Sequence, residues 1–124
     1  MMNHFLLYLA SAVLLFWGVA HLFPTKSVVK GFGGISLDNK RIVAMEWIIE
    51  GVFLVFIATI VITVTCMDLN SPISKMIYRL CFVVLNVLSG ISLLTGFRIK
   101  FLPFKLCPVI FTTASILILL GSFL

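Results

Sequence analysis

Four long apolar runs set the limits on what this chain can fold into: Phe5–Phe23, Ile42–Cys66, Met76–Gly96 and Leu106–Leu124. A helix that crosses a bilayer needs about 20 mostly apolar residues, and each run is close to or above that length. Backbone groups in hydrocarbon must satisfy their own hydrogen bonds, so these runs are expected to be helices. The alternation of a barrel strand is absent. The connections, Pro24–Arg41, Met67–Lys75 and Phe97–Lys105, leave no room for a separate soluble domain. The expected fold is all-α, one integral membrane four-helix bundle spanning residues 1–124.

Composition agrees. Apolar residues make up 62% of the chain and charged residues 10%, against about 45–50% and 25% in soluble domains. A disordered chain and an ordinary soluble enzyme are excluded. Three cysteines are too few, and odd in number, for a disulfide scaffold. Cys66 and Cys81 lie toward one side of the bundle without redox C-x-x-C spacing, and Cys107 has no partner visible in sequence. The first run is retained as a helix, because MMNHF carries no Lys or Arg and few apolar residues precede the only A-x-A match.

The net charge of +5 does not point to nucleic acid, because of where it lies. The first and third connections hold Lys26, Lys30, Lys40, Arg41, Arg98, Lys100 and Lys105. The second holds Lys75, with Arg79 at its margin. That asymmetry follows the positive-inside rule. It places the first and third connections in the cytoplasm and both termini outside, with the bacterial cytoplasmic membrane as the expected location. Trp17 and Trp47 fall near the basic side, and Tyr8 and Tyr78 toward the other, as two aromatic belts would. The basic loops are expected to meet anionic lipid headgroups.

Small residues let helices approach in lipid. Ala44, Gly51, Ala58 and Thr65 recur every seventh residue along the second run. In the third, Asn86, Ser89, Gly90, Ser92, Gly96 and Arg79 share about half the circumference. In the first, Tyr8, Ser11, Gly18 and His21 share a face. These faces are expected to look inward, with the fourth run closing the bundle. Short connections make the second and third runs, and the third and fourth, antiparallel neighbours. In the first connection Pro24 ends a helix. Gly31, Gly33 and Gly34 suit a flexible turn rather than a phosphate cradle, and Ser36, Asp38 or Asn39 can cap the next helix.

The chemistry-bearing residues gather at the basic side. Glu46 and Glu50 are four apart, on one helix face. Only Gly51–Met67 is uncharged beyond them, about 25 Å of helix against a core of roughly 30 Å. Glu50 is therefore drawn about one turn inside. His21 ends the first run and Arg98 begins the third connection, at the same level. An ionisable group in a membrane is a candidate site by default. Candidate ligand-binding residues are Glu50, Glu46, His21, Asn86, Trp47 and Arg98. Glu50 could instead clip helices together through His21 or Arg98. Glu46, Glu50 and His21 offer three possible metal ligands but lack the repeated E-x-x-H of di-iron bundles, so neither metal nor cofactor is expected. No Ser-His-Asp set or haem motif is present, and no catalytic residue is assigned.

The segment Gly18-Val-Ala-His21-Leu22-Phe23-Pro24, then Glu46-Trp-Ile-Ile-Glu50-Gly51, within four short spans, resembles the DoxX-like membrane proteins. That resemblance implies a small membrane protein of varied role, sometimes tied to quinone-linked redox partners or to assembly of other proteins. Small multidrug exporters also have four helices, but their essential glutamate lies in the first, which holds none here. A sterol-isomerase-like bundle, which holds a cationic ligand with acids and aromatics, is suggested more weakly by Glu46, Trp47 and Glu50.

Three functional readings follow. The first is a DoxX-like accessory or binding protein with a hydrophobic or lipid-like ligand at Glu50 and His21. The second is a proton-coupled transporter of small cations, working as a dimer. The third is an enzyme on a membrane-dissolved substrate, which would need a further acid or base near Glu50. Expected partners are membrane lipids, a hydrophobic or cationic small molecule, and a second copy or another membrane protein.

Overall fold

In the computed structural model, which describes residues 1–123, every apolar run is helical. Leu124, the last residue of the fourth expected span, lies outside the described residues. Five α-helices follow in order: α1 Met2–Leu22, α2 Thr25–Gly31, α3 Leu37–Asp68, α4 Pro72–Ile91 and α5 Leu102–Phe123. A π-helical turn, Ser92–Gly96, prolongs α4. The chain is all-α, and α1, α3, α4 with its π turn, and α5 are each long and apolar enough to cross a membrane.

The helices begin earlier than hydropathy alone suggests, because hydropathy marks the membrane part of a helix and capping marks its end. Ser36 caps α3, its hydroxyl accepting from the Asn39 N–H at 3.2 Å. At 32 residues, α3 is about 48 Å long. It therefore extends beyond a hydrocarbon core of roughly 30 Å. Ser71 caps α4 in the same way (Ser74 N–H, 3.0 Å), and Pro72 sits in the first turn, where its missing N–H is harmless. The first connection is not simply a turn. Pro24 starts the short helix α2, which buries Val28. Of the three glycines, only Gly33 uses a left-handed angle, at φ +72°.

The packing order around the bundle is α3, α1, α5, α4. The tightest seam joins α1 and α3. A Cβ on Gly51 would stand 2.9 Å from the Gly18 carbonyl oxygen, and one on Gly18 would stand 2.8 Å from that of Gly51. The seven-residue seam of α3 is thus used: Gly51, Ala58 and Thr65 are buried, with Ala44 half-buried at its outer end.

As their short connection predicts, α3 and α4 are neighbours, but they do not stay together along their length. They are joined chiefly near their connection, where Thr65 and Tyr78 share a hydroxyl–hydroxyl bond of 2.8 Å. There too, Ser74 donates to the Asp68 carbonyl at 2.6 Å. Further along, α4 leans on α5: the Ser89 hydroxyl donates to the Pro108 carbonyl (3.0 Å) and bonds Thr112 (2.7 Å). The free end of α3 and the far end of α4 therefore diverge and leave a cleft between them.

The inward face of α4 also differs from expectation. Its buried stripe is Ser74, Tyr78, Cys81, Leu85 and Ser89, spaced three or four apart as a helical face requires. Asn86 is one residue past that stripe and exposed. Its amide donates to the Phe82 carbonyl of its own helix at 2.8 Å, so it needs no interhelical partner. Arg79 is exposed, and Gly90 faces open space. Tyr78 and Trp47 are not belt residues; both are buried inside.

Candidate functional site

The C-terminal turn of α1 delivers His21 to the bundle interior at 2% exposure. Three contacts fix its ring. Its Nδ1 lies 3.0 Å from the Trp17 carbonyl; since a carbonyl only accepts, Nδ1 carries the proton and Nε2 is left to face inward. Trp47 stacks on one face, with centroids 4.5 Å apart and planes at 26°. Trp17 meets it edge-on at 5.5 Å. The Trp47 indole N–H donates to the His21 carbonyl. That carbonyl is among the last of α1, which a helix end leaves without a helical partner. Trp47 thus ties α3 to the end of α1 and holds the imidazole at once. The Gly18–Gly51 contact lies one turn away and permits this closeness.

Glu50, one residue before Gly51, places Oε1 3.6 Å from His21 Nε2. Its side chain is 32% exposed, toward the cleft. From the opposite wall, Cys107 on α5 sets its buried Sγ 3.9 Å from the same Nε2. The nearest ligand atoms of His21, Glu50 and Cys107 all fall within 4.8 Å of one another.

This cluster lies beside the cleft between α3 and α4, whose volume is about 580 Å³. Glu46, Trp47, Glu50 and Phe53 line it from α3, and Leu88, Ile91, Ser92 and Thr95 from α4 with its π turn. Phe104 and Cys107 line it from α5. The π turn itself forms part of the wall, and such turns gather at functional sites. Phe104 tilts against Trp47 at 5.4 Å, and a Cβ on Gly96 would meet its ring at 3.4 Å, so the π turn packs against the start of α5 at the loop end of the cleft.

Of the six candidate residues read from sequence, His21 and Glu50 are brought together, Trp47 packs on His21, and Glu46 stands on the cleft wall. Asn86 and Arg98 do not join them. Asn86 faces away on α4, for the reason above. Arg98 follows the π turn and is exposed. Among the described residues, the close acid–base pairs are His21–Glu50 and the exposed Arg41–Asp38 (3.6 Å). Cys107 was the residue sequence reasoning missed. Its signal was faint: a thiol just before Pro108, one turn into α5 and on the basic side.

No family model, curated protein or solved structure matches the chain.

Proposed function

We propose that this chain is a small membrane-embedded binding protein, DoxX-like in layout, that takes a hydrophobic or lipid-like molecule with a polar or cationic head into the α3–α4 cleft. The observation that carries this reading is an apolar cleft of about 580 Å³ with two carboxylates, Glu46 and Glu50, on one wall and no lysine or arginine among its lining residues. The volume falls in the usual range for small-molecule sites, about 300–1,000 Å³. A gap between two diverging spans opens toward lipid, so an apolar tail can arrive from the bilayer. Aromatic faces attract cations, so Trp47 and Phe104 suit a cationic head beside Glu50. The first and third loops, on the cleft's side, would face the cytoplasm.

The test is native mass spectrometry of the protein extracted from its own membrane in a mild detergent. A retained small hydrophobic molecule, lost in Ile91→Trp (which fills the cleft) and weakened in Glu50→Gln, supports the reading. An empty wild-type protein that also fails to bind a fluorescent long-chain amine rejects it. The same carboxylates also fit a second reading, proton-coupled transport of small cations. That reading requires pH-gradient-driven cation uptake in vesicles, abolished by Glu50→Gln.

A further inference from the structure

We infer that His21, Glu50 and Cys107 form a binding site for a single zinc-class transition-metal ion, with a fourth coordination position open to the cleft. The inference goes beyond hydrophobic-ligand binding and stands without it, because it rests on three atoms rather than on the cleft.

The first argument is the convergence of three ligand-type atoms. With its Nδ1 proton engaged by the Trp17 carbonyl, the imidazole turns Nε2, the nitrogen a metal would take, toward Glu50 and Cys107. Opposite it stands a carboxylate oxygen at 3.6 Å. A nitrogen and a carboxylate oxygen this close are bridged by a cation, which can be a proton or a metal ion. The Cys107 Sγ, 3.9 Å from the same Nε2, adds a third ligand atom from α5.

Distance is the second argument. A direct N–H···O bond spans about 2.7–3.2 Å, and the Nε2–Oε1 gap is longer. Zinc holds nitrogen and carboxylate oxygen at about 2.0–2.2 Å and sulfur at about 2.3 Å, tetrahedrally. Two such ligands on one ion lie roughly 3.4 Å apart for N and O, and roughly 3.6 Å for N and S. The observed 3.6 and 3.9 Å exceed these by only a few tenths of an ångström.

Preorganisation is the third. Metal-bound histidines nearly always give their other N–H to a carbonyl or carboxylate, which fixes the ring and raises its basicity. The Trp17 carbonyl is placed to do this, and the Trp47 stack restrains rotation. The donor set of one nitrogen, one carboxylate oxygen and one sulfur suits zinc-like ions, not magnesium or calcium, which prefer all-oxygen sites. Three protein ligands with an open fourth position are the pattern of reactive rather than purely structural zinc. Glu50, partly exposed, gives the ion its route in from the cleft. Binding takes Cys107 as the thiolate and His21 with Nε2 unprotonated, so protons held on those two atoms leave to solvent.

Cobalt(II) is the probe, because its thiolate complexes absorb in the near ultraviolet and its tetrahedral complexes absorb strongly in the red. The purified full chain in detergent, with Cys66→Ser and Cys81→Ser in place, is stripped with chelator and titrated. One equivalent should produce both bands, and one equivalent of Zn(II) should abolish them. Cys107→Ser should lose the near-ultraviolet band. Glu50→Gln should weaken binding by more than roughly 100-fold, since even outer-shell partners of a metal are worth about 10–100-fold. His21→Ala removes a stacked, buried ring and can fail to fold, so Cys107→Ala, checked for unchanged helical circular dichroism, is the second variant. Absence of a stoichiometric complex in folded protein overturns the proposal, as does a complex indifferent to Cys107→Ala or to Glu50→Gln. Native mass spectrometry on Cys107→Ser separates the two claims. A hydrophobic molecule still retained there, with no metal bound by the parent protein, sinks the metal site alone.

Discussion

Substituting Gly51 by alanine tests whether the α1–α3 seam positions the site. The new Cβ would stand 2.9 Å from the Gly18 carbonyl oxygen, 2.9 Å from Leu22 Cδ2 and 3.0 Å from His21 Cβ. The first is backbone, so rotamer changes alone cannot relieve the clash and the helices must part by several tenths of an ångström. Overpacking of this kind costs about 1–3 kcal/mol. Replacing glycine within a helix also brings a gain of about 1 kcal/mol. Gly90→Ala is the internal control: it lies within α4 and its Cβ would meet nothing within 4 Å. It receives the helix gain without the clash, so the difference between the two variants isolates the steric effect. Reversible unfolding in mixed micelles, followed by circular dichroism, is expected to place Gly51→Ala about 1–3 kcal/mol below Gly90→Ala. Because the added atom pushes on His21, Gly51→Ala is also expected to bind cobalt(II) more weakly. Equal stability of the two variants would refute the close helix contact, and with it the reason His21 and Glu50 meet.

Trp47→Phe keeps a ring against His21 but removes the N–H donated to its carbonyl; the Thr25 hydroxyl still reaches that carbonyl at 3.5 Å, so unfolding in micelles is expected to show a loss of about 0.5–1.5 kcal/mol, the worth of one hydrogen bond. Tyr78→Phe deletes the 2.8 Å bond to Thr65 that ties α3 to α4, and the same assay is expected to register about 0.5–1.5 kcal/mol. With the native cysteines replaced, Ser27→Cys on the exposed side of α2 is expected to react with an impermeant thiol reagent only from the cytoplasmic face. Labelling from outside would reverse the orientation.

Sequence made the helices legible because hydrocarbon tolerates few alternatives, and four apolar runs admit little else. Helix ends were less legible, since Ser36 and Ser71 act by capping, which hydropathy does not register. The seam through Gly51, Ala58 and Thr65 could be read, because small residues at a seven-residue spacing have one obvious use. The inner face of α4 could not. Polarity pointed to Asn86, yet an asparagine in a helix can satisfy its own amide on the preceding turn. The pairing of α3 with α4 was inferred from a short connection, which joins two ends and does not oblige the rest to stay together. His21 and Glu50 were found because ionisable groups stand out against an apolar background. Cys107 was passed over because a thiol does not, and because 86 residues separate it from His21.

The meeting of His21 with Glu50 inside the bilayer is the claim on which the site depends. It can be measured directly by solid-state NMR in lipid bilayers with 15N-histidine and 13C-glutamate. The chain holds two histidines and two glutamates, and His4→Gln with Glu46→Gln leaves one of each. Strong dipolar dephasing between the imidazole Nε2 and the Glu50 carboxyl carbon is expected from an Nε2–Oε1 separation of 3.6 Å. No dephasing, with the carboxyl carbon instead in contact with lipid acyl protons, would contradict it.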